Sequence, residues 1–288
     1  MQGLVLFLWL FASGVPAVEL PTLQIESPPE LAAVRDRLQA IPPGRFADIF
    51  QFLGSGPGLP VRVELVPESS VVAHSVQPWI AGFAVGESSL VVLFPARSPG
   101  YPDNTLEDVL RHELAHVLIA RASGGGRVPR WFNEGLAMEV ERERRFQDQT
   151  ELFYQLVKGG ETDLRQLDAL FSGSQDDQIR AYALAGAFIH DLLQSYGPAS
   201  AKTILARMQQ GASFDTAFMD VTGIPASSAE SQFWRRQRIW TSWVPVLTAS
   251  TTLWLAITML ALLAIVARRR RNRQIQKQWE KEDQQSSE

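Results

Sequence analysis

The sequence predicts an α+β fold: a small mixed sheet, a long apolar helix beside it, and a helical second half. Three observations support this. Apolar residues recur every second position between Val61 and Phe94, and a helical spacing takes over after Thr105. Runs such as Ser123-Gly124-Gly125-Gly126 and Tyr196-Gly197-Pro198 punctuate the remainder. At 288 residues, 45% of them hydrophobic and 20% charged, the chain suffices for one or two domains with a substantial core.

Two classes of chemistry are excluded early. There is no cysteine, so disulfides, thiolate metal ligands and a cysteine nucleophile are absent, and any metal site must use histidine and carboxylate. The net charge is −4, and positive charge gathers in the last twenty or so residues, which leaves an acidic body unsuited to nucleic acid.

The elements follow in chain order. Residues 1–17 have an apolar core from Leu4 to Ala12 and small residues at Val15-Pro16-Ala17, the pattern of a signal peptide. Pro28-Pro29 opens a helix faced by Leu31, Val34 and Leu38, and Phe46, Ile49, Phe50 and Leu53 mark a second. Val61, Val63 and Leu65 alternate with Arg62 and Glu64 as a half-buried strand. Ile80–Val85 and Leu90–Phe94 are expected to complete a short meander, with Gly86-Glu87-Ser88-Ser89 as the turn. Leu90–Phe94 is the candidate edge strand for pairing with an extended peptide.

Thr105 can cap the next helix, with Glu107 and Asp108 at its positive end. This helix contains His112-Glu113-Leu114-Ala115-His116. Histidines four apart lie one turn apart on one face, so both imidazoles can reach one metal ion. Glu113 lies about 100° around from His112 and about 60° from His116, beside the ion without being forced to bind it. That arrangement suits a metal hydrolase: two nitrogen ligands, and a carboxylate near a metal-activated water. Val109, Leu110, Leu114, Val117, Leu118 and Ile119 make the helix apolar on nearly every side. Burying two imidazoles and a carboxylate there without partners would be costly.

A third ligand is available in Trp131-Phe132-Asn133-Glu134-Gly135-Leu136-Ala137. The intervening chain is long enough to turn and lay a second helix, from about residue 131 to 145, beside the first. Glu134 stands among apolar neighbours, where a lone carboxylate would be unfavourable. Residues 150–241 are mostly helical, with Tyr182, Ala185, Phe188, Ile189 and Leu192 on one stripe. Three further helices are expected at 201–210, 214–220 and 226–240.

With both motifs in view, the sequence resembles the gluzincin peptidases, particularly the peptidase MA-like family and the related aminopeptidases. The resemblance implies a zincin-like fold with Zn2+ on His112, His116 and Glu134, and Glu113 as general base. It also implies an oxyanion donor near Tyr182, with His190 as the alternative. Aminopeptidase relatives carry a Gly-x-Met-Glu-Asn segment whose acid grips the substrate's free amine. Here the equivalent stretch is Gly82-Phe83-Ala84-Val85-Gly86, without an acid, so the expected activity is endopeptidase, with a peptide or protein substrate. Two alternatives stand beside it: a tethered binding or scaffold protein with a structural metal site, and a non-peptidase zinc hydrolase.

Val244 to Ala267 contains no charge, and Arg268–Arg271 follow, a pattern expected of one transmembrane helix with its basic tail in the cytoplasm. The expected organisation is therefore a signal peptide (1–17), an extracytoplasmic domain (18–243) dividing at 122/123 into an upper sheet-bearing and a lower helical half, a span (244–267), and a tail (268–288). The expected location is single-pass in a bacterial cell envelope, with the domain periplasmic.

Overall fold

The computed structural model describes residues 20, 22–54, 59–98, 105–140, 161–248, 254, 257–269 and 271, with the side chains of 239–248 excepted. The expected signal peptide and most of the expected tail lie outside the described residues. The chain forms two units, Met1–Phe233 and Trp234–Glu288.

The first unit contains a four-stranded sheet in the order β1 (Leu23–Glu26), β2 (Val61–Leu65), β4 (Leu90–Leu93), β3 (Gly82–Val85). β1 and β4 pair parallel with β2, through Leu23↔Val61 and Arg62↔Leu90. Only β3 is antiparallel, joined to β4 through Gly82↔Leu93. The expected meander is corrected here. A parallel pair needs a crossover, and the chain between β2 and β3 supplies one through α3 (Val71–Ser75) and the loop after it. β4 thereby becomes interior and β3 the edge, so Leu90–Phe94 is not the edge strand. β1 went unanticipated because its alternation, Leu23 and Ile25 against Gln24 and Glu26, lasts only four residues.

Before the sheet completes, 3-10 turns lead into α1 (Ala32–Gln39) and α2 (Ala47–Leu53), as the prolines and apolar spacing predict. α4 (Leu106–Ala122) begins with a reciprocal capping box, in which Thr105 accepts from the Asp108 amide and Asp108 from the Thr105 amide. Leu110, Leu114 and Leu118 on α4 are buried to 1% exposure or less, each contributing about 1.5–3 kcal/mol relative to an exposed position. Arg111 ties α4 to its neighbours, bonding the carbonyls of Arg45 and Val140 and pairing with Asp48.

Then come α5 (Arg130–Val140), α6 (Leu164–Leu170), α7 (Gln175–Tyr196), α8 (Ser200–Gln209), α9 (Phe214–Thr222) and α10 (Ala226–Thr248). Residues 141–145 of the second expected helix lie outside the described residues. α5 and α7 pack backbone to backbone at Gly135, where an added Cβ would lie 2.6 Å from the Ala185 carbonyl oxygen and 2.5 Å from Ile189 Cγ1. Trp131, Phe132, Phe188, Phe214, Phe218 and Phe233 form a chain of ring contacts at 5.0–5.7 Å between centroids. Such pairs contribute about 0.5–1.5 kcal/mol each beyond their burial.

The second unit overturns the expected location. Among the described residues no helix is long and apolar enough to cross a membrane. α10 carries Arg235, Arg236 and Arg238 and includes the apolar run only in its last turns. The described helical residues 257–269 include Arg268 and Arg269. The single-pass span, and the periplasmic and cytoplasmic placement derived from it, are withdrawn.

Candidate metal centre

α4 and α5 bring three donors together. His112 Nε2 lies 3.6 Å and His116 Nε2 3.4 Å from Glu134 Oε2, and ligand atoms of all three residues lie within 4.8 Å of one another. The imidazole rings meet edge to face, 4.8 Å between centroids. Among the described residues this is the one His/Cys/Asp/Glu group placed to hold a metal ion.

The donors fit such an ion. Glu134 Oε2 is buried and makes no hydrogen bond, which a carboxylate oxygen does not tolerate without another partner. A tetrahedral ion with bonds of about 2.0–2.1 Å holds its ligand atoms about 3.3–3.4 Å apart, close to the spacings found here. The other carboxylate oxygen, Oε1, faces Arg130, whose Nε is 3.6 Å away.

Neighbouring groups fix these side chains. His116 Nδ1 donates to Asn133 Oδ1 at 3.0 Å, since an amide oxygen can only accept. The ring is thereby held as the tautomer whose Nε2 keeps its lone pair for a metal. Arg130 donates to Ser172 Oγ and the Phe171 carbonyl and lies 4.9 Å from the centroid of the Phe171 ring. Phe171 packs edge-on against Tyr182 at 5.2 Å, and Tyr182 against His112 at 6.2 Å. The helical half thus braces Tyr182 on the centre. His190 instead lies beside Glu139, Nδ1 to Oε1 at 3.4 Å, two turns further along α7.

Electrostatics couple the cluster. Burial disfavours a charged His116, but the adjacent Glu134 carboxylate overrides it and raises the imidazole above its usual 6.5. Burial likewise disfavours a charged Glu134, and His116 and His112 override it, holding the carboxyl far below the usual carboxylate range.

Glu113 is buried, 7% exposed, at the boundary between α4 and β3. A Cβ on Gly82 would lie 3.1 Å from Glu113 Cγ and 2.9 Å from Val109 Cγ1, so the bare glycine lets the edge strand close onto the acid. The Phe94 amide donates to the Ala81 carbonyl. Given the period of two, Phe83 and Val85 direct their backbone groups at β4, and Gly82 and Ala84 direct theirs to the free edge.

The sequence model of the Peptidase MA superfamily matches residues 70–239. The chain belongs to this superfamily. Its match begins at the helix α3 and runs into α10, taking in every residue of the cluster. Membership of the Peptidase MA superfamily, with a buried His-His-Glu group able to hold a metal, makes the protein a metallopeptidase in general terms, acting on peptides or proteins. No curated protein sequence matches the chain.

The structure places His112, His116 and Glu134 together, with Tyr182 against His112 and Glu113 on the same helix facing Gly82. Sequence inspection missed the partners. Arg130 stands four residues before Glu134 on one helix, a spacing at which side chains meet. Asn133 is the neighbour of Glu134 but reaches a different atom of the site. Gly82 gave no signal apart from lacking a side chain.

Proposed function

We propose that the protein is a zinc-dependent endopeptidase of the gluzincin kind. His112, His116 and Glu134 would hold the zinc ion and Glu113 would serve as general base. The observation that supports this reading most directly is the buried Glu134 Oε2, which makes no hydrogen bond and faces two histidine nitrogens. Bound there, zinc supplies a Lewis acid that acidifies water and polarises a carbonyl.

The chain's own groups do the rest. An extended substrate adds to the free edge of β3, its backbone meeting the outward groups of Gly82 and Ala84. This sets a peptide carbonyl beside Glu113. Glu113 takes a proton from water as the water oxygen bonds to the carbonyl carbon, then delivers it to the amide nitrogen as the C–N bond breaks. Tyr182, with its ring against His112, is assigned to donate to the carbonyl oxygen as it gains charge. The cleft in this reading runs between the sheet-bearing half ending at residue 122 and the helical half after it. Gly82–Gly86 carries no acid, Glu87 lying just beyond it, so nothing on this strand grips a free amine and internal cleavage is favoured.

The test uses the purified full chain. Zinc analysis should give about one ion per chain, and an N-acetylated random peptide pool should be cut by metal-loaded protein and spared after chelation. A zinc-loaded protein that cuts none of the pool would refute the reading. One that cuts only peptides with free amines would refute the endopeptidase assignment.

A further inference from the structure

One side-chain bond joins the loop before β3 to the helical half: Trp79 Nε1 donates to Gln178 Oε1 at 3.0 Å. Both ends lie close to groups that flank the metal centre. Trp79 is three residues before Gly82, the strand position against Glu113. Gln178 is four residues before Tyr182 on α7, about 6 Å along a helix. The bonded pair therefore stands where the free edge of β3 begins.

Trp79 is held firmly there while remaining 38% exposed. Arg97 donates to the carbonyls of Gln77 and Ile80 on either side of it, to Ala73, and to both oxygens of Glu68. Gln178 is oriented in turn, because its Nε2 donates to the Gly173 carbonyl at 3.4 Å and leaves Oε1 toward the indole. A large aromatic surface fixed from two sides and left open to solvent is a wall awaiting an apolar contact.

We propose that Trp79, oriented by Gln178, forms the wall of a substrate side-chain subsite at the start of β3 and selects an aromatic or large aliphatic residue of the peptide. This rests on the peptidase function proposed above. A chain extended along β3 turns alternate side chains to each face, and one of those beyond Gly82 meets the indole.

The experiment profiles cleavage of an N-acetylated random peptide pool by zinc-loaded wild type, Trp79→Ala, Trp79→Phe and Gln178→Ala. Equilibrium binding of the best-cut peptide, and of its alanine-substituted counterpart, is measured on Glu113→Gln protein with and without Trp79→Ala. Wild type should favour aromatic or large aliphatic residues by about tenfold or more at one position near the cut. Trp79→Ala should erase that preference through KM and through binding, with zinc content and melting temperature kept. Trp79→Phe should retain most of it, and Gln178→Ala should blunt it. A wild-type profile with no apolar position, or an unchanged preference in Trp79→Ala, would overturn the subsite while leaving peptidase activity standing. Absence of any cleavage by zinc-loaded wild type, together with no binding of the peptide pool to Glu113→Gln protein, would instead overturn the proposed function, and the subsite with it.

Discussion

Asn133 Oδ1 accepts from His116 Nδ1 at 3.0 Å, while the next residue, Glu134, faces the opposite nitrogen of the same ring at 3.4 Å. Adjacent residues of one helix thus engage both edges of one imidazole. Removing the amide frees the ring to rotate and change tautomer. Asn133→Ala should therefore weaken metal binding about 10–100-fold, measured by competition with a chelator, while the circular dichroism spectrum stays that of wild type.

Glu113 and the three cluster residues should separate cleanly. Glu113→Gln keeps the shape of the side chain and removes its basicity, so the protein should retain its metal and lose about 10²–10⁴ in cleavage rate. His116→Ala should lose the metal itself. Elemental analysis alongside a peptide assay reads both outcomes, and full activity in zinc-loaded Glu113→Gln would remove Glu113 from the role of base.

Gly82 tests the contact between strand and acid. A side chain there meets Val109 Cγ1, Leu93 Cδ2 and Glu113 Cγ at 2.9–3.1 Å. Gly82→Val should cost about 1–3 kcal/mol through overpacking, seen as a lower thermal midpoint. Because Glu113 is one of the displaced groups, kcat should fall further than stability alone accounts for.

The metal-free protein should show a stability window in pH. His116 is raised above 6.5 in the fold, so its contribution is complete below about 6.5 and is lost as pH rises through the folded value. Glu134 is held below its usual 4.5, so its contribution is present above about 4.5 and is lost as pH falls toward the folded value. Chelated wild type should therefore gain most from this pair between about pH 4.5 and 6.5. His116→Ala should flatten that dependence in thermal melts.

Much of the centre was legible in the sequence because it depends on local spacing. His112 and His116 share a helix face by periodicity, and Glu134 stood out as an acid among Trp131, Phe132 and Leu136. The cap at Thr105 and the helix pair before β2 were legible for the same reason. Strand order was not. Whether β4 lies inside the sheet or at its edge depends on how the chain crosses after β2, and no alternation within Leu90–Leu93 encodes that crossing. The apolar run after Val244 misled in a related way. Hydropathy reports composition along the chain, whereas a span requires one continuous helix of sufficient length, which the described residues do not contain.

Arg97 has a consequence for motion. Its guanidinium, 4.4 Å from the centroid of the Phe94 ring, is the common partner of carbonyls at Ala73, Gln77 and Ile80 and of the Glu68 carboxylate. Beneath it Val66, Ala73, Val92 and Phe94 form a small core of their own. The stretch from Glu68 to Ile80 is therefore built to open cooperatively, as one unit with one free energy, and not to fray residue by residue. Its amide hydrogens should exchange together, and an ammonium in place of the planar fork at residue 97 would shift that whole stretch toward the open state at once.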